Sequence, residues 1–351
     1  MTTTFFLKGS HTMKQRLLLI LVLLFLTIMG CSNRNDKNPN LNSLGYINME
    51  PLPVTEVKFY SESVKRDMAI NVVLPRGYDK SELCYPVLYL CHGLTSNYNE
   101  FKYVGVPEYL NLFDMIVVMV DVGNSWYVNW AKSENNQQNN FADHVCVDII
   151  NYVDTHFRTV AERNGRAING ISMGGFGAIS LGLSNPDLFC SVGSLSGALG
   201  WAAQCRDHLE KGEKPFVIWE KIAEDTVSRY RDIDLEGYST IKERTPAGQP
   251  FLTVEQADTV DPFKLVLQVP KEQLPHIYLD CGVSDFLFNS AKDFAKLLIE
   301  NDIAFHYGQS EGTHEEDYWG RELSASIAVQ YTVMLRNIWG YEFPRYDAWG
   351  R

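Results

Sequence analysis

Five consecutive residues, Gly170-Ile171-Ser172-Met173-Gly174, have the types and spacing of a tight strand-to-helix turn that presents a serine hydroxyl. The positions two before and two after the serine must be small, because side chains there would clash. In a chain of 351 residues about 0.1 such matches are expected by chance at average glycine and serine frequencies. The flanks add specificity: Arg166-Ala167-Ile168-Asn169 reads as the incoming strand, and residues 175–181 as a small-residue helix able to approach a sheet closely. A hydroxyl presented in this way can attack an acyl carbon if a base takes its proton.

Four histidines follow Ser172: His208, His276, His306 and His314. His276 begins an apolar strand and His306 lies within one, which gives both a structural reading. His208 falls in a long charged stretch. His314 stands in Gly312-Thr313-His314-Glu315-Glu316, just past a strand ending near Gly308. Loops at the carboxyl ends of parallel strands are where such sheets present catalytic groups, so His314 is the candidate base. The orienting acid is Asp285 or Asp280. Asp280 is still within the strand Ile277-Tyr278-Leu279-Asp280, where alternation aims it at a packed face. Asp285 follows Gly282 in a loop and is preferred; Asp302, at a helix end, is the weaker third. The oxyanion needs two backbone donors. Met173, at the start of the turn's helix, supplies one. The loop His92-Gly93-Leu94 supplies the other, nominated as the Leu94 amide with Gly93 as alternative, while His92 reads as a hydrogen-bonder that fixes the loop.

The elements needed to position these groups are present. Residues 54–60 and 68–74 read as an antiparallel opening pair, and 87–91 and 115–120 as buried parallel strands. Val145, Ile149, Ile150, Val153 and Phe157 share a helical face. Strands follow at 166–171, 191–195, 276–280 and 304–307. A helix presents Ala291, Phe294, Ala295 and Leu298 on one face, and a closing helix starts at about Glu322. Alternation of this kind predicts a doubly wound, mostly parallel α/β sheet, and with the serine turn an α/β-hydrolase fold. Residues 201–262 exceed what one crossover requires and read as a long insertion, either a cap over the site or an elaborated surface connection.

The same pieces resemble the esterase-D-like hydrolases, which include bacterial feruloyl and acetylxylan esterases and short-chain acyl esterases. The matching segments are His92-Gly93-Leu94-Thr95, Asn124-Ser125-Trp126-Tyr127, Gly170-Ile171-Ser172-Met173-Gly174-Gly175, Cys281-Gly282-Val283-Ser284-Asp285, and Gly312-Thr313-His314 with Tyr318-Trp319. They run in order over about residues 54–340. The resemblance implies Ser172, Asp285 and His314 as a triad acting on carboxylic esters without cofactor or metal. The 201–262 insertion departs from the pattern and leaves the pocket undefined. Trp126, Tyr127, Trp201 and Trp319 are candidates for an acyl or sugar subsite, since aromatic faces stack on sugars and phenolic acids. The same triad could transfer the acyl group to another alcohol. A binding lipoprotein on a retired hydrolase fold would usually have lost a triad member, and here each has a candidate.

The N-terminus reads as an export signal. Lys14 and Arg16 precede an apolar run from Leu17 to Ile28, too short to span a bilayer comfortably. The run ends in Ile28-Met29-Gly30-Cys31, which resembles the bacterial lipobox, so Cys31 is the expected lipidation site and Met13 a natural start. Residues 1–30 are then a signal peptide, 31–53 a tether rich in Asn, Pro and Ser, and 54–351 the hydrolase domain. The expected protein is an exported lipoprotein, periplasmic or at the cell surface, touching the membrane only through its lipid. In that compartment the substrate points to acylated plant polysaccharide, and S-formylglutathione, a cytosolic thiol ester known as a substrate of relatives, fits poorly. The net charge of −12 excludes nucleic acid as a partner recognised through bulk charge. The cysteines after Cys31 have no metal-binding spacing and read as free and buried.

Overall fold

The computed structural model describes residues 50–215 and 244–340. The signal segment, Cys31, almost all of the tether, residues 216–243 of the insertion and residues 341–351 lie outside the described residues.

Eight strands form one sheet: β1 (Val54–Ser61), β2 (Arg66–Val73), β3 (Val87–Cys91), β4 (Ile116–Val120), β5 (Arg166–Ile171), β6 (Ser191–Leu195), β7 (His276–Asp280) and β8 (Phe305–Gly308). Their spatial order is β1-β2-β4-β3-β5-β6-β7-β8. The β1–β2 and β2–β4 pairs are antiparallel and the rest of the sheet is parallel. Strands β3, β4, β5 and β6 are buried at every residue, as expected of parallel strands covered on both faces.

Alternation along each strand feeds two cores. Val87, Tyr89 and Cys91 join one, with Phe176 and Ile179 of helix α2 and Phe294 of α4. Leu88 and Leu90 join the other, with Leu323, Ile327 and Met334 of α5. Among the helices are α1 (Ile150–His156), α2 (Met173–Ser184), α3 (Trp201–Glu210), α4 (Phe288–Glu300) and α5 (Glu316–Trp339). Two of them depart from the sequence reading. A π-helical stretch, His144–Ile149, precedes α1. And α5 begins at Glu316, six residues before the expected Glu322: extended Glu315 precedes it and accepts the Tyr318 and Trp319 amides on its carbonyl, and Glu316 and Asp317 sit in its first turn, where the helix dipole favours acids. The described parts of the insertion hold α3, a two-residue strand Gly248–Gln249 paired with Lys132–Ser133, and the short helix Val254–Asp258.

Candidate active site

Strand register brings the ends of β3, β5, β6, β7 and β8 to one edge. Cys91 pairs with Gly170, Ile171 with Leu195, Leu195 with Asp280, and Asp280 with Gly308. Ser172, Asp285, His314 and the Gly93–Leu94 segment lie just past that edge, where α/β sheets place ligands.

Ser172 stands between β5 and α2 with φ 56° and ψ −117°, a backbone state non-glycine residues rarely adopt. The turn is forced by close packing. A Cβ on Gly170 would come within 2.2 Å of the Gly174 carbonyl oxygen, and one on Gly174 within 1.9 Å of the Cys91 oxygen. The Ser172 amide donates to Leu195 O at 3.0 Å, and the amides of Phe176 and Ala198 both donate to Ser172 O at 3.1 Å. The strained residue is therefore held by hydrogen bonds to both of its backbone polar groups.

The loops after β7 and β8 are joined by a short ladder, Val283 N to Ser310 O and Ser284 N to Gly312 O, both 3.0 Å. Contact is close enough that a Cβ on Gly282 would lie 2.4 Å from Gly312 O. This zipper carries Asp285 to His314: Nδ1 of His314 lies 2.8 Å from Asp285 Oδ2, and its Nε2 lies 2.8 Å from Ser172 Oγ. The Asp285 side chain is fully buried, and its other oxygen accepts the Leu287 amide at 2.8 Å. Burial alone would raise the Asp285 pKa, but the hydrogen bond and charge of His314 outweigh it and hold the carboxyl below its usual range. Asp280 is elsewhere. Buried at the end of β7, it accepts from the hydroxyls of Tyr318 and, at 3.3 Å, Tyr278, and burial pushes its pKa up to about 6.

The loop after β3 lies against the serine. A Cβ on Gly93 would sit 3.6 Å from Ser172 Cβ. The polar groups of this loop are tied up one after another. Tyr127 Oη donates to His92 O at 2.9 Å, and His92 Nδ1 lies 2.7 Å from Gly93 O. Gly93 N donates to buried Glu100 Oε2 at 2.7 Å, and Thr95 N to Asn124 Oδ1 at 2.8 Å. Arg244 bridges Ser96 O and Asp121. Gly93, the alternative donor, therefore has its amide engaged. The amides of Leu94 and Met173 find no acceptor among the described residues. Burial pushes the Glu100 pKa up to about 7, against the lowering effect of the Gly93 amide.

The four aromatic candidates separate. Trp319 packs edge-on against the His314 ring, centroids 5.0 Å apart. Trp126 and Trp201 stack on each other at 4.2 Å within a core cluster that includes Phe176 and Phe251. Tyr127 is equally buried and spends its hydroxyl on His92. The subsite expected from Trp126, Tyr127 and Trp201 is corrected to core packing and loop support, because their faces are covered by other side chains. Three residues that the sequence reading passed over matter here. Phe286, 77% exposed, sets its ring 4.6 Å from that of His314, and Glu100 and Arg244 fix the Gly93 loop. An apolar residue directly after the candidate acid was a usable signal for Phe286; nothing in sequence spacing points to Glu100 or Arg244. Of the other histidines, His276 is hydrogen-bonded to Ser191 and His306, and His208 pairs with Glu213. Among the described residues no group of three His, Cys, Asp or Glu could hold a metal ion. Cys91, Cys146, Cys190, Cys205 and Cys281 are free and buried, whereas Cys84 is exposed.

A nucleophile on a strained turn, a two-sided histidine and a buried acid fit one kind of family. Residues 61–328 match the model of the Esterase family. The chain belongs to that family, and its sheet and flanking helices have the α/β-hydrolase fold. Among similar proteins, an esterase of Mycobacterium tuberculosis, Rv1288, is 34% identical over 143 residues, covering 40% of this chain and 31% of its own length. The chain thus matches about a third of that relative. An acetyl esterase of Caldicellulosiruptor saccharolyticus is 25% identical over 284 residues, covering 78% of this chain and 96% of its own. Among solved structures, a CE1 ferulic acid esterase of Anaeromyces mucronatus superposes with a TM-score of 0.54 at 17% identity, covering 87% of this chain and 97% of that one. At that identity the likeness speaks for the fold alone.

Proposed function

We propose that this chain hydrolyses carboxylic esters with Ser172 as nucleophile, His314 as general base and acid, and Asp285 as the group that orients the imidazole. The observation that carries this reading is the pair of 2.8 Å contacts on the two nitrogens of His314. With Nδ1–H donated to Asp285, Nε2 presents its lone pair to the Ser172 hydroxyl. Ser172 Oγ bonds to the ester carbon while its proton passes to Nε2, and the carbonyl oxygen becomes an oxyanion held by the Leu94 and Met173 amides. As the carbon–oxygen bond to the alcohol breaks, Nε2 returns the proton to the departing oxygen, leaving an acyl-serine. Water deprotonated by His314 then attacks, and Ser172 leaves with its proton restored and a carboxylic acid as product.

The substrate class in this reading is an acylated carbohydrate bearing acetyl or feruloyl groups. Two features support it. One relative, matched across most of both chains, is an acetyl esterase. Phe286 offers an exposed ring beside His314, and aromatic faces suit sugar rings and phenolic acids. The reading also places the enzyme outside the cytoplasm, tethered through a lipid on Cys31. Hydrolysis of acetylated and feruloylated xylo-oligosaccharides, with simple butyryl esters alongside, tests the substrate. Turnover of butyryl esters but of neither xylo-oligosaccharide would refute the carbohydrate reading. Palmitate labelling and detergent partitioning of the full chain against Cys31→Ser test the anchor; unchanged partitioning in the variant removes it.

A further inference from the structure

The Gly93–Leu94 peptide must face Ser172 for the proposed oxyanion hole to exist, and a loop has no intrinsic reason to keep that orientation. His92 and the Ser96 amide hold its oxygen, and one further side chain anchors the peptide before it. Glu100 opens the short helix Glu100–Tyr103, seven residues beyond Gly93, and is buried. Its Oε2 accepts the Gly93 amide at 2.7 Å, and its Oε1 lies 3.3 Å from where a Cβ on Gly93 would stand. The Ser96 side chain bonds to the same carboxyl. The end of this helix meets α5: a Cβ on Gly320 would sit 3.2 Å from the oxygen of Val104, the residue that follows it. A buried, charge-capable group that takes no part in the proton relay is expensive to keep, and its strongest neutral contact is the backbone of the oxyanion loop.

We propose that Glu100 is a positioning residue for catalysis: by accepting the Gly93 N–H it fixes the His92–Gly93 peptide, and from that anchored residue, with Gly93 O held by the Ser96 amide at 3.3 Å and His92 Nδ1 at 2.7 Å, the Leu94 N–H is set toward the developing oxyanion. The proposal rests on the ester-hydrolase reading and adds to it a residue that never touches substrate. What matters is the acceptor and its reach. Burial pushes the Glu100 pKa up to about 7, and whether neutral or ionised the carboxyl keeps an oxygen lone pair for Gly93. An amide of the same length is therefore a fair replacement, whereas a carboxylate one methylene shorter is not.

The test compares Glu100→Gln, Glu100→Asp and Glu100→Ala by steady-state kinetics on a short-chain acyl ester, with circular dichroism and melting curves for each. Loss of one oxyanion donor costs about 10²–10³ in kcat. Glu100→Ala and Glu100→Asp should lose roughly that much in kcat with KM changed less than about threefold, and Glu100→Gln should stay within about tenfold of the parent. A merely structural role would move melting temperature without this split and would not favour Gln over Asp. Should Glu100→Ala not fold, the Gln–Asp pair decides alone. The proposal is overturned if folded Glu100→Asp keeps parental kcat, if Glu100→Gln falls as far as Glu100→Asp, or if the loss appears in KM. Failure of the hydrolase reading itself is a separate result, visible as unchanged turnover in Ser172→Ala.

Discussion

Two serine–histidine–aspartate clusters stand in this molecule, built from the same three residue types. In one, His314 lies between Ser172 and Asp285 with 2.8 Å contacts on both sides. In the other, Ser61 lies between Asp148 and His144: its hydroxyl donates to Asp148 Oδ2, and His144 Nδ1 stands 2.9 Å from Ser61 Oγ. The order of partners decides the chemistry. The Ser172 proton faces a base that can take it and pass it on. The Ser61 proton is already given to a carboxylate, so His144 can only donate to that oxygen. Access differs as well. Ser61 and His144 are fully buried, whereas Ser172 and His314 remain partly open. Ser61 ends a regular strand, with no strained turn to present it, and ties the β1–β2 hairpin to the π-helical stretch. A triad's composition is thus no guide to activity; direction of the hydrogen bonds and exposure of the nucleophile are.

The contrast is sharpest in turnover. Ser172→Ala should lower kcat by about 10⁶ with the fold intact, since only an oxygen is lost. Asp285→Asn should lower it by about 10⁴ with the melting temperature little changed, because the His314 tautomer is no longer fixed. The same substitutions at the other cluster should do the reverse. Ser61→Ala and Asp148→Asn should leave kcat within about twofold and cost about 1–3 kcal/mol of stability, read as a lower melting temperature. A large fall in kcat from either would break the comparison.

Acid titration sharpens it further. Burial works to raise the Asp148 pKa, but hydrogen bonds from His144, Ser61 and Ser63 outweigh it and hold the group below the ordinary range. Its stabilisation is present above the unfolded value near 4 and is lost as pH falls below it. The smallest effect concerns Asp280, whose pKa burial raises to about 6. Its contribution has the opposite sign, full below about pH 4 and lost as pH rises through about 6. Melting curves of Asp280→Asn between pH 4 and 8 should therefore decline less with rising pH than those of the parent, with turnover retained. If Asp280→Asn loses turnover while Asp285→Asn keeps it, the acid has been assigned to the wrong residue.

Much of this was legible in the sequence because the signals were local. The strand at 87–91 is a continuous apolar run, and the structure forms it, and those at 191–195 and 276–280, with the expected limits. The serine turn is legible because Gly170 and Gly174 are demanded by steric contact within a few residues. The start of α5 was missed because Glu315–Asp317 are polar and carry no apolar period; their role is to cap and complement a dipole. Trp126 and Trp201 misled because exposure is a property of the assembled fold: each covers the other across 75 residues of chain. Glu100 was invisible for a related reason, since its partner is a backbone amide, and backbone amides leave no trace in residue type.

The central claim, that hydrogen-bond direction and access select Ser172 over Ser61, is tested most directly by treating the folded protein with a fluorophosphonate probe and mapping the adduct by peptide mass spectrometry. The account predicts stoichiometric modification of the peptide containing Ser172, none of that containing Ser61, and no labelling of Ser172→Ala. An adduct on Ser61, or labelling and hydrolysis that survive in folded Ser172→Ala, would contradict it.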